Sequence, residues 1–256
     1  GPPAVSGRVM VVGLGPGAAE WMTAEASTAI KAATDVVGYG PYVERLALRA
    51  DQRAHASDNR VEMERARLAL KLAAEGREVA VVSGGDPGVF AMAAAVFEAI
   101  EDDPQWLKLD IQVTPGVTAM QAAAARLGAP LGHDFCAISL SDNLKPWAIV
   151  VRRLRAAADG DFVIALDNPA SKARPSRITQ AFDLLRTLKT TTTPVAFARA
   201  VGRADETLTL TTLGEADASL ADMATLVVIG SSETRVIARD GARPWMLTPR
   251  AYGVRR

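Results

Sequence analysis

The amino-acid sequence predicts an α/β fold with two α/β domains, the N-terminal one with a mainly parallel sheet and the C-terminal one with a mixed sheet. Two observations predict it. Short apolar runs with the length of buried strands alternate with helical stretches, which is typical of a parallel sheet covered by helices. Later strand-like runs follow one another closely, which indicates some antiparallel pairing. The expected domains span residues 8–128 and 131–240, with a break at Gly128-Ala-Pro130 and a tail at 241–256.

The composition of the 256-residue chain limits its partners and its location. Lys plus Arg and Asp plus Glu number 29 each, so no net field attracts nucleic acid. No apolar run reaches the roughly 18 residues of a membrane span. The single cysteine, Cys136, excludes an internal disulfide and a cysteine-clustered metal site, and it fits a reducing cytosol. We therefore expect a cytoplasmic protein with no bound metal and no nucleic-acid or membrane partner.

One stretch of the first half has the pattern of a ligand-binding strand end. Val79–Val82 is a short β-branched run, and Ser83-Gly84-Gly85 then allows a tight turn. Asp86-Pro87 predicts a helix start, with Asp86 as the cap and Pro87 at the first helical position. The helix is expected over Val89–Ile100. In open α/β sheets, ligands bind where such strands end.

The first predicted strand, Arg8–Val12, ends in a similar loop, Gly13-Leu-Gly15-Pro16-Gly17. Together with Ala18 this loop satisfies a loose dinucleotide fingerprint, so a non-catalytic dinucleotide-binding module is one hypothesis. Pro16 removes one amide from the loop, and no Lys or Arg lies between Val9 and Ala29. These two details disfavour a phosphate ligand. A plain strand-to-helix turn is the remaining alternative.

A third strand, Leu109–Val113, runs into Thr114-Pro-Gly-Val-Thr118, and a small-residue helix is expected over Ala119–Leu127. Thr118 either caps this helix or faces a ligand. Because parallel strands end at the same edge of a sheet, the three turns should lie together. Their shared composition predicts a small, largely neutral ligand held by main chain.

Between these turns we expect one more strand and three helices. Thr23 should cap a helix that ends near Ala33, and Asp35–Val37 should form the strand. Tyr39 and Tyr42 then either stack on a flat ligand or pack against the helix expected from Val43. The last helix, 61–75, is preceded by a capping-box arrangement at Asn59-Arg-Val-Glu62.

The second half reads as five strands and two helices. The expected strands are Phe135–Leu140, Asp161–Leu166, Pro194–Ala198, Glu206–Thr212 and Thr225–Ile229, the last in the chain, and the helices are Trp147–Ala157 and Ile178–Leu188. His133 next to Asp134 is either a general-base pair or a structural loop residue. Cys136 lies within an apolar strand and is expected to pack as a small hydrophobic residue. No metal-ligand spacing or catalytic triad is apparent.

Basic residues cluster at or just after strand ends of this half. They either form a solvated surface or bind a polycarboxylate through charge-assisted hydrogen bonds. The residues are Lys172, Arg174, Arg177, Arg199 and Arg203.

Four segments occur in the order found in the tetrapyrrole methylases, which the chain resembles from about Arg8 to Ser232: Val11-Val-Gly-Leu-Gly-Pro-Gly17, Gly84-Gly-Asp-Pro87, Thr114-Pro-Gly-Val-Thr-Ala119 and Pro194–Arg199. Gly132-His-Asp-Phe-Cys-Ala-Ile-Ser-Leu-Ser-Asp142, Pro146-Trp147 and Asn168-Pro-Ala-Ser-Lys172 are similar to a branch of this family that methylates and contracts its macrocycle.

The resemblance implies a homodimer that binds S-adenosyl-L-methionine in the cleft between its two domains and releases S-adenosyl-L-homocysteine. Carried over by position, the cofactor contacts are Pro16, Gly84, Gly85, Asp86, Val89, Thr118, Ala119, Asn168, Arg199 and Ala200. The candidates for contact with the tetrapyrrole substrate are Gly15, Tyr39, Tyr42, Lys145, Lys172, Arg174, Arg177 and Arg203. The candidates for acid–base work in ring contraction are Asp86, Ser139, Asp142 and Arg199, and His133 is a lower-ranked candidate.

Overall fold

The computed structural model describes residues 7–58, 61–169 and 176–253. The chain divides into two compact units between Thr118 and Ala119. The predicted break at Gly128-Ala-Pro130 comes after the helix that begins at Ala119. Three predictions lie outside the described residues: the capping box, which needs Asn59, and the substrate contacts of Lys172 and Arg174.

The first unit contains a five-stranded sheet. Its strands are β1 (Arg8–Gly13), β2 (Asp35–Tyr39), β3 (Arg53–Ser57), β4 (Glu78–Ser83) and β5 (Asp110–Thr114), in the order β3-β2-β4-β1-β5. Every pairing is parallel, so the predicted parallel sheet is confirmed. Strand β3 was not predicted. It lies at the sheet edge and contains no β-branched residue, so it gives no period-2 apolar signal.

Four helices accompany this sheet: α1 (Ala24–Ala32), α2 (Gly40–Glu44), α3 (Glu62–Ala74) and α4 (Met92–Asp102), with single 3₁₀ turns at Ala19–Trp21 and Pro104–Trp106. The Thr23 hydroxyl caps α1 as predicted, accepting from the Ala26 amide at 3.0 Å. Helix α2 was predicted to begin at Val43. It begins at Gly40 instead, because Pro41 fits its first turn.

Helix α4 begins at Met92, so the predicted start near Val89 and the capping role of Asp86 are wrong. Phe90 has a left-handed backbone with φ of 52°, which a continuous helix cannot contain. The Asp86 carboxylate closes its own turn by accepting from the Gly88 amide at 2.8 Å. Residues 86–91 therefore form a loop ahead of the helix.

The sheet of the first unit is buried on both faces. Val9, Val11 and Val81 belong to one core cluster with α3 and α4. Val12 and Val36 belong to a second cluster with residues of α1. Burial on both faces explains why these strands read as continuous apolar runs rather than as alternating patterns.

The second unit begins with α5 (Ala119–Leu127) and contains two further helices, α6 (Trp147–Asp159) and α7 (Arg177–Leu188), and a 3₁₀ turn at Ala218–Leu220. Its strands are β6 (Gly128–Ala129), β7 (Phe135–Ser139), β8 (Val163–Asp167), β9 (Pro194–Arg199), β10 (Thr207–Thr212), β11 (Thr225–Ile229), β12 (Arg235–Arg239) and β13 (Ala242–Leu247). The larger sheet has the order β10-β9-β11-β8-β7. Only β7 and β8 pair in parallel, which confirms the predicted mixed sheet.

A small third sheet, with the order β12-β13-β6, was not predicted. Strand β11 was expected to be the last, and residues from 241 onwards were expected to be a tail. The Arg235–Arg239 segment is exposed throughout, so burial imposes no apolar pattern on it. Within the described part of the chain, no helix is both long and apolar enough to cross a membrane.

A buried ion-pair cluster lies at the N-terminal end of strand β2 in the first sheet. The Asp35 carboxylate is fully buried and accepts from Arg77 Nε at 2.7 Å and from the Thr34 hydroxyl at 2.8 Å. Its other oxygen lies 2.8 Å from His55 Nε2. Burial opposes ionisation, but these hydrogen bonds outweigh it and hold the pKa of Asp35 below its ordinary value. A lowered native pKa stabilises the fold above the unfolded pKa, and that contribution is lost as pH falls through the native pKa.

We expect Asp35→Asn to lower the free energy of unfolding at pH 7 by about 3 kcal/mol, because it leaves Arg77 unpaired. The difference between wild type and variant should shrink as pH falls below about 4. Urea unfolding at several pH values measures both effects. The exposed pair Arg8–Asp110 gives the control: Asp110→Asn should cost less than about 1 kcal/mol. A difference that stays constant with pH would contradict this account.

Candidate functional site

Three loops meet at the carboxyl edge of the first sheet, as predicted, because β4, β1 and β5 are neighbours. The loop after β1 and the loop after β4 are joined by main chain. The Gly15 amide donates to the Gly85 carbonyl at 3.1 Å, and the Gly85 amide donates to the Gly15 carbonyl at 2.8 Å. These two reciprocal bonds form an isolated antiparallel bridge between the loops, just beyond the parallel pairing of β1 with β4.

Asp86 joins the third loop to the other two. Its Oδ1 accepts from the Gly88 amide at 2.8 Å, and its Oδ2 accepts from the Gly116 amide at 2.9 Å. Both carboxylate oxygens therefore stabilise the loop set, and Asp86 is the acidic side chain at its centre. Hydrogen bonds of a carboxylate to amides are charge-assisted and stronger than neutral ones.

The glycines of these loops are required by close approach. A Cβ on Gly13 would lie 2.8 Å from the Gly85 carbonyl oxygen, and a Cβ on Gly116 would lie 2.2 Å from the same atom. Gly15 and Gly85 also have left-handed backbones, with φ of 74° and 62°. The three loops thus pack main chain against main chain with no room for side chains between them.

The two predicted aromatic residues lie beside this loop set. Tyr39 and Tyr42 contact each other edge to face, with ring centroids 5.2 Å apart. A Cβ on Gly84 would lie 2.9 Å from Tyr42 Cζ, so the Tyr42 ring covers that glycine. Pro16 is half-buried, whereas Val89 is exposed in the 86–91 loop. Of the two remaining predicted contacts near this edge, Thr118 ends the loop after β5 and Ala119 is the first residue of α5.

Sequence reasoning missed a buried cation near the ends of β2 and β3. The Arg65 side chain donates to the Ser57 hydroxyl at 3.0 Å and to the Asp58 carbonyl at 2.6 Å, and the residue is only 4% exposed. Burial lowers the pKa of its guanidinium. A charged residue in a helical sequence predicts a solvated face, so only the structure places Arg65 inside.

Strands β7, β8 and β9 of the second unit run in the same direction, because β8 and β9 are each antiparallel to β11 and β7 is parallel to β8. Their ends therefore share one edge of the second sheet. This brings Ser139, Asn168 and Arg199 to that edge. The buried Ser139 hydroxyl accepts from the Asn168 side-chain amide at 2.9 Å and lies 3.3 Å from the Ser141 amide.

Asn168 and Ala200, the residues that follow β8 and β9, both have left-handed backbones with φ of 51°. Such a backbone is uncommon for residues other than glycine and often occurs at functional sites. Both residues were predicted to contact the cofactor. The backbone angles are a signal that the sequence does not carry, because alanine has no local preference for this conformation.

Two predicted residues with different roles contact each other. Arg177 Nε donates to Asp142 Oδ2 at 3.1 Å, and the Asp142 side chain is only 7% exposed. The guanidinium also stacks on Trp147, with its carbon 4.6 Å from the ring centroid. Asp142, the acid–base candidate, and Arg177, the substrate candidate, therefore form one cluster.

Arg199 is held by two carboxylates, with Nε donating to Asp222 at 2.7 Å and Nη1 donating to Asp205 at 3.0 Å. These bonds raise the pKa of Arg199. Arg203 is exposed nearby, and burial lowers the pKa of Lys145. The basic candidates Lys145, Arg199 and Arg203 thus differ from one another in burial and in ion-pair partners.

His133 and Cys136 make contacts that are typical of residues with a structural role. His133 Nδ1 lies 2.9 Å from the Arg250 carbonyl oxygen, and the ring stacks on Tyr252 at 5.8 Å. Cys136 packs against the core of the second unit, and burial raises the pKa of its thiol. Across the described ranges, no three His, Cys, Asp or Glu side chains come together in a metal-binding group.

The family model described as Tetrapyrrole (Corrin/Porphyrin) Methylases matches residues 8–217. The chain is 59% identical to the precorrin-3B C(17)-methyltransferase of Sinorhizobium sp over 249 residues, which cover 97% of this chain and 98% of that protein. It is 43% identical to a probable cobalt-factor III C(17)-methyltransferase of Salmonella typhimurium, covering 94% and 98%. The crystal structure of the methyltransferase CobJ superposes with a TM-score of 0.91 at 52% identity, covering 95% of this chain and all of that one.

We expect Gly116→Ala to separate the three loops, because its Cβ cannot fit against the Gly85 carbonyl. The free energy of unfolding should fall by roughly 1–3 kcal/mol, measured by urea denaturation. Gly40→Ala is the matched control, since nothing lies closer than 4.0 Å to the added methyl group. Equal stability of the two variants would show that the loops do not interlock in solution.

Proposed function

Because the chain belongs to the tetrapyrrole methylase family, we propose that it transfers the methyl group of S-adenosyl-L-methionine to carbon 17 of precorrin-3B and contracts the macrocycle to give precorrin-4. The observation that carries this proposal is the set of three interlocked strand-end loops, lined by main chain. Similarity to a precorrin-3B C(17)-methyltransferase along nearly the whole chain supports the choice of substrate. The same similarity assigns the protein to cobalamin biosynthesis.

The residues of the loop set fit this cofactor. Residues 13–17, 83–88 and 115–118 contain no Lys or Arg and only one carboxylate, Asp86. Main-chain amides and carbonyls suit an adenosine and an amino-acid group, whereas a pyrophosphate would call for cations. Gly84 lies against the Tyr42 ring, which places an aromatic side chain beside the main chain of this loop. We assign the cofactor contacts to Pro16, Gly84, Gly85, Asp86, Val89, Thr118, Ala119, Asn168, Arg199 and Ala200.

Methyl transfer from a sulfonium depends on alignment more than on proton transfer. When bound, S-adenosyl-L-methionine supplies a methyl group on a positively charged sulfur. The protein's part is to hold the reacting carbon in line with that group, and correct geometry alone contributes a large share of such a rate enhancement. Loops fixed by reciprocal main-chain bonds and by Asp86 are rigid enough for this task.

The acidic side chains of the macrocycle need cations, and the second unit supplies them near its strand ends. Arg177 is the best placed, because its guanidinium is held flat against Trp147 and 24% of its side chain stays exposed. We assign substrate contacts to Gly15, Tyr39, Tyr42, Lys145, Lys172, Arg174, Arg177 and Arg203. Asp86, Ser139, Asp142 and Arg199 stay candidates for acid–base work.

Cobalt-factor III is the alternative substrate, supported by the similarity to the Salmonella typhimurium protein. The higher identity to the precorrin-3B enzyme favours the metal-free macrocycle. A further alternative keeps the same substrate class and differs only in which carbon of the precorrin is methylated. The dinucleotide-binding hypothesis has only the Gly13-x-Gly15-x-x-Ala18 spacing in its favour.

We also propose that the protein is a homodimer in the cytoplasm, without nucleic-acid or membrane partners. The equal numbers of acidic and basic residues support the lack of a nucleic-acid partner.

The function is tested by incubating the protein with S-adenosyl-L-methionine and either precorrin-3B or cobalt-factor III. We expect a one-methyl mass gain and the absorbance change of ring contraction with precorrin-3B, and a lower rate with cobalt-factor III. Calorimetry should show binding of S-adenosyl-L-homocysteine and none of NAD. Binding of NAD alone, with no methyl transfer, would favour the dinucleotide module.

We expect Arg177→Ala to raise the KM for the macrocycle roughly tenfold, because one charge-assisted hydrogen bond to the substrate is lost. Affinity for S-adenosyl-L-homocysteine should stay within about twofold of wild type by calorimetry. Arg155→Ala, at an exposed position of α6, is the control and should change neither quantity. An unaltered KM would remove Arg177 from the substrate site.

A further inference from the structure

The four acid–base candidates already have structural partners. Asp86 accepts two main-chain amides, Asp142 pairs with Arg177, and Arg199 pairs with two carboxylates. Ser139 is buried and engaged with Asn168. Proton uptake at any of these groups would break a contact that holds the site together, so a carboxylate with fewer partners is better suited to accept a proton during methyl transfer.

Asp167 differs from these candidates. It is the last residue of β8, and it lies next to Ser139 in the parallel register of β7 and β8. Its Oδ1 accepts from the Asn168 amide at 2.9 Å, and no described residue bonds its Oδ2. The residue is partly exposed at the edge shared by Ser139, Asn168 and Arg199. Within the described part of the chain, this carboxylate oxygen is therefore available at that edge.

We propose that Asp167 is the proton acceptor of the methyl-transfer reaction, an inference that rests on the function proposed above. A π-electron pair of the macrocycle forms the new carbon–methyl bond, and the electron pair of the broken carbon–sulfur bond stays on sulfur. The macrocycle has then gained one positive charge. It regains its charge by losing a proton, whose bonding pair returns to the π system. The Asp167 carboxylate takes that proton and later releases it to water.

The surroundings of Asp167 suit this role. Burial raises the pKa of its carboxyl, and the hydrogen bond from the Asn168 amide offsets this only in part. A base whose pKa is closer to the working pH is a better proton acceptor than an ordinary aspartate. The neighbouring strands face it with Ser139 on β7 and with Val227, paired with Leu166, on β11. Charged side chains follow or precede the adjoining strands: Asp142, paired with Arg177, follows β7, and Asp222, paired with Arg199, precedes β11.

The test is Asp167→Asn in the full chain, because asparagine keeps the shape and the acceptor for the Asn168 amide but cannot take up the proton. We expect turnover with precorrin-3B to fall by between about a hundredfold and ten-thousandfold, with KM and S-adenosyl-L-homocysteine affinity within about twofold of wild type. Asp167→Glu should recover part of the rate. Asp183→Asn, at an exposed ion pair of α7, is the matched control and should react as wild type does.

Two readouts separate a chemical role from a structural one. In the wild type, the rate should fall as the Asp167 carboxyl is protonated at low pH, and this decline should be absent from the residual rate of Asp167→Asn. Without any ligand, carbon-13 NMR of labelled aspartate should give Asp167 a titration midpoint above the ordinary value of an aspartate. A midpoint in the ordinary range near 3.9, or an Asp167→Asn variant with the wild-type rate and pH profile, overturns the inference.

The outcomes also separate this inference from the proposed function. A wild type that methylates neither macrocycle overturns the proposed function and the role of Asp167 together. An active wild type with an unaffected Asp167→Asn variant overturns only the role of Asp167. If Asp167→Asn does not fold, the rate of Asp167→Glu and the NMR titration decide the matter: an ordinary midpoint counts against the role, and a raised midpoint with a partial rate supports it.

Discussion

The candidate site of the first unit depends on three loops whose backbones are in direct contact. The reciprocal bonds between Gly15 and Gly85 hold two of them together, and the Asp86 carboxylate binds the third through the Gly116 amide. A Cβ on Gly13 or on Gly116 would clash with the Gly85 carbonyl oxygen. The parallel order β4-β1-β5 brings the loops to one edge, and the glycines then allow them to close on each other. The site is therefore built by backbone geometry before any side chain acts.

The edge of the second unit is built differently. Its strand ends carry Asn168 and Ala200 in left-handed conformations, and hydrogen bonds between side chains fix their neighbours. A left-handed alanine costs conformational energy that the surrounding fold must offset. Ala200 is buried, and its amide donates to the Ala224 carbonyl at 2.9 Å, which gives this turn a fixed position. Main-chain rigidity in one unit and strained turns in the other are two ways of presenting backbone groups to a ligand.

The sequence predicts well those features that depend on local pattern. Buried β-branched runs such as Val79–Val82 locate the parallel strands, and the glycine turns after them locate the site edge. Prediction from the sequence fails where tertiary contacts override a local signal. Asp86-Pro87 has the chemistry of a helix cap, but the Asp86 carboxylate satisfies two loop amides and the helix begins at Met92. Strands β3 and β12 were missed because edge positions impose little apolar pattern.

The same distinction explains why the sequence carries a clearer signal for candidate cofactor contacts than for acid–base groups. A cofactor held by backbone leaves a record in glycine spacing, because a close approach excludes other residues. A proton-transfer group needs only one carboxylate in the right surroundings, and the chain has 29 acidic residues to choose from. Hydrogen-bond partners differ among them: Asp86 and Asp142 are held by amides and a guanidinium, whereas among the described residues the Asp167 carboxylate has one partner, the Asn168 amide, at the same edge as Ser139. The proton transfer proposed for such a site thus depends on which carboxylate has the fewest structural hydrogen bonds.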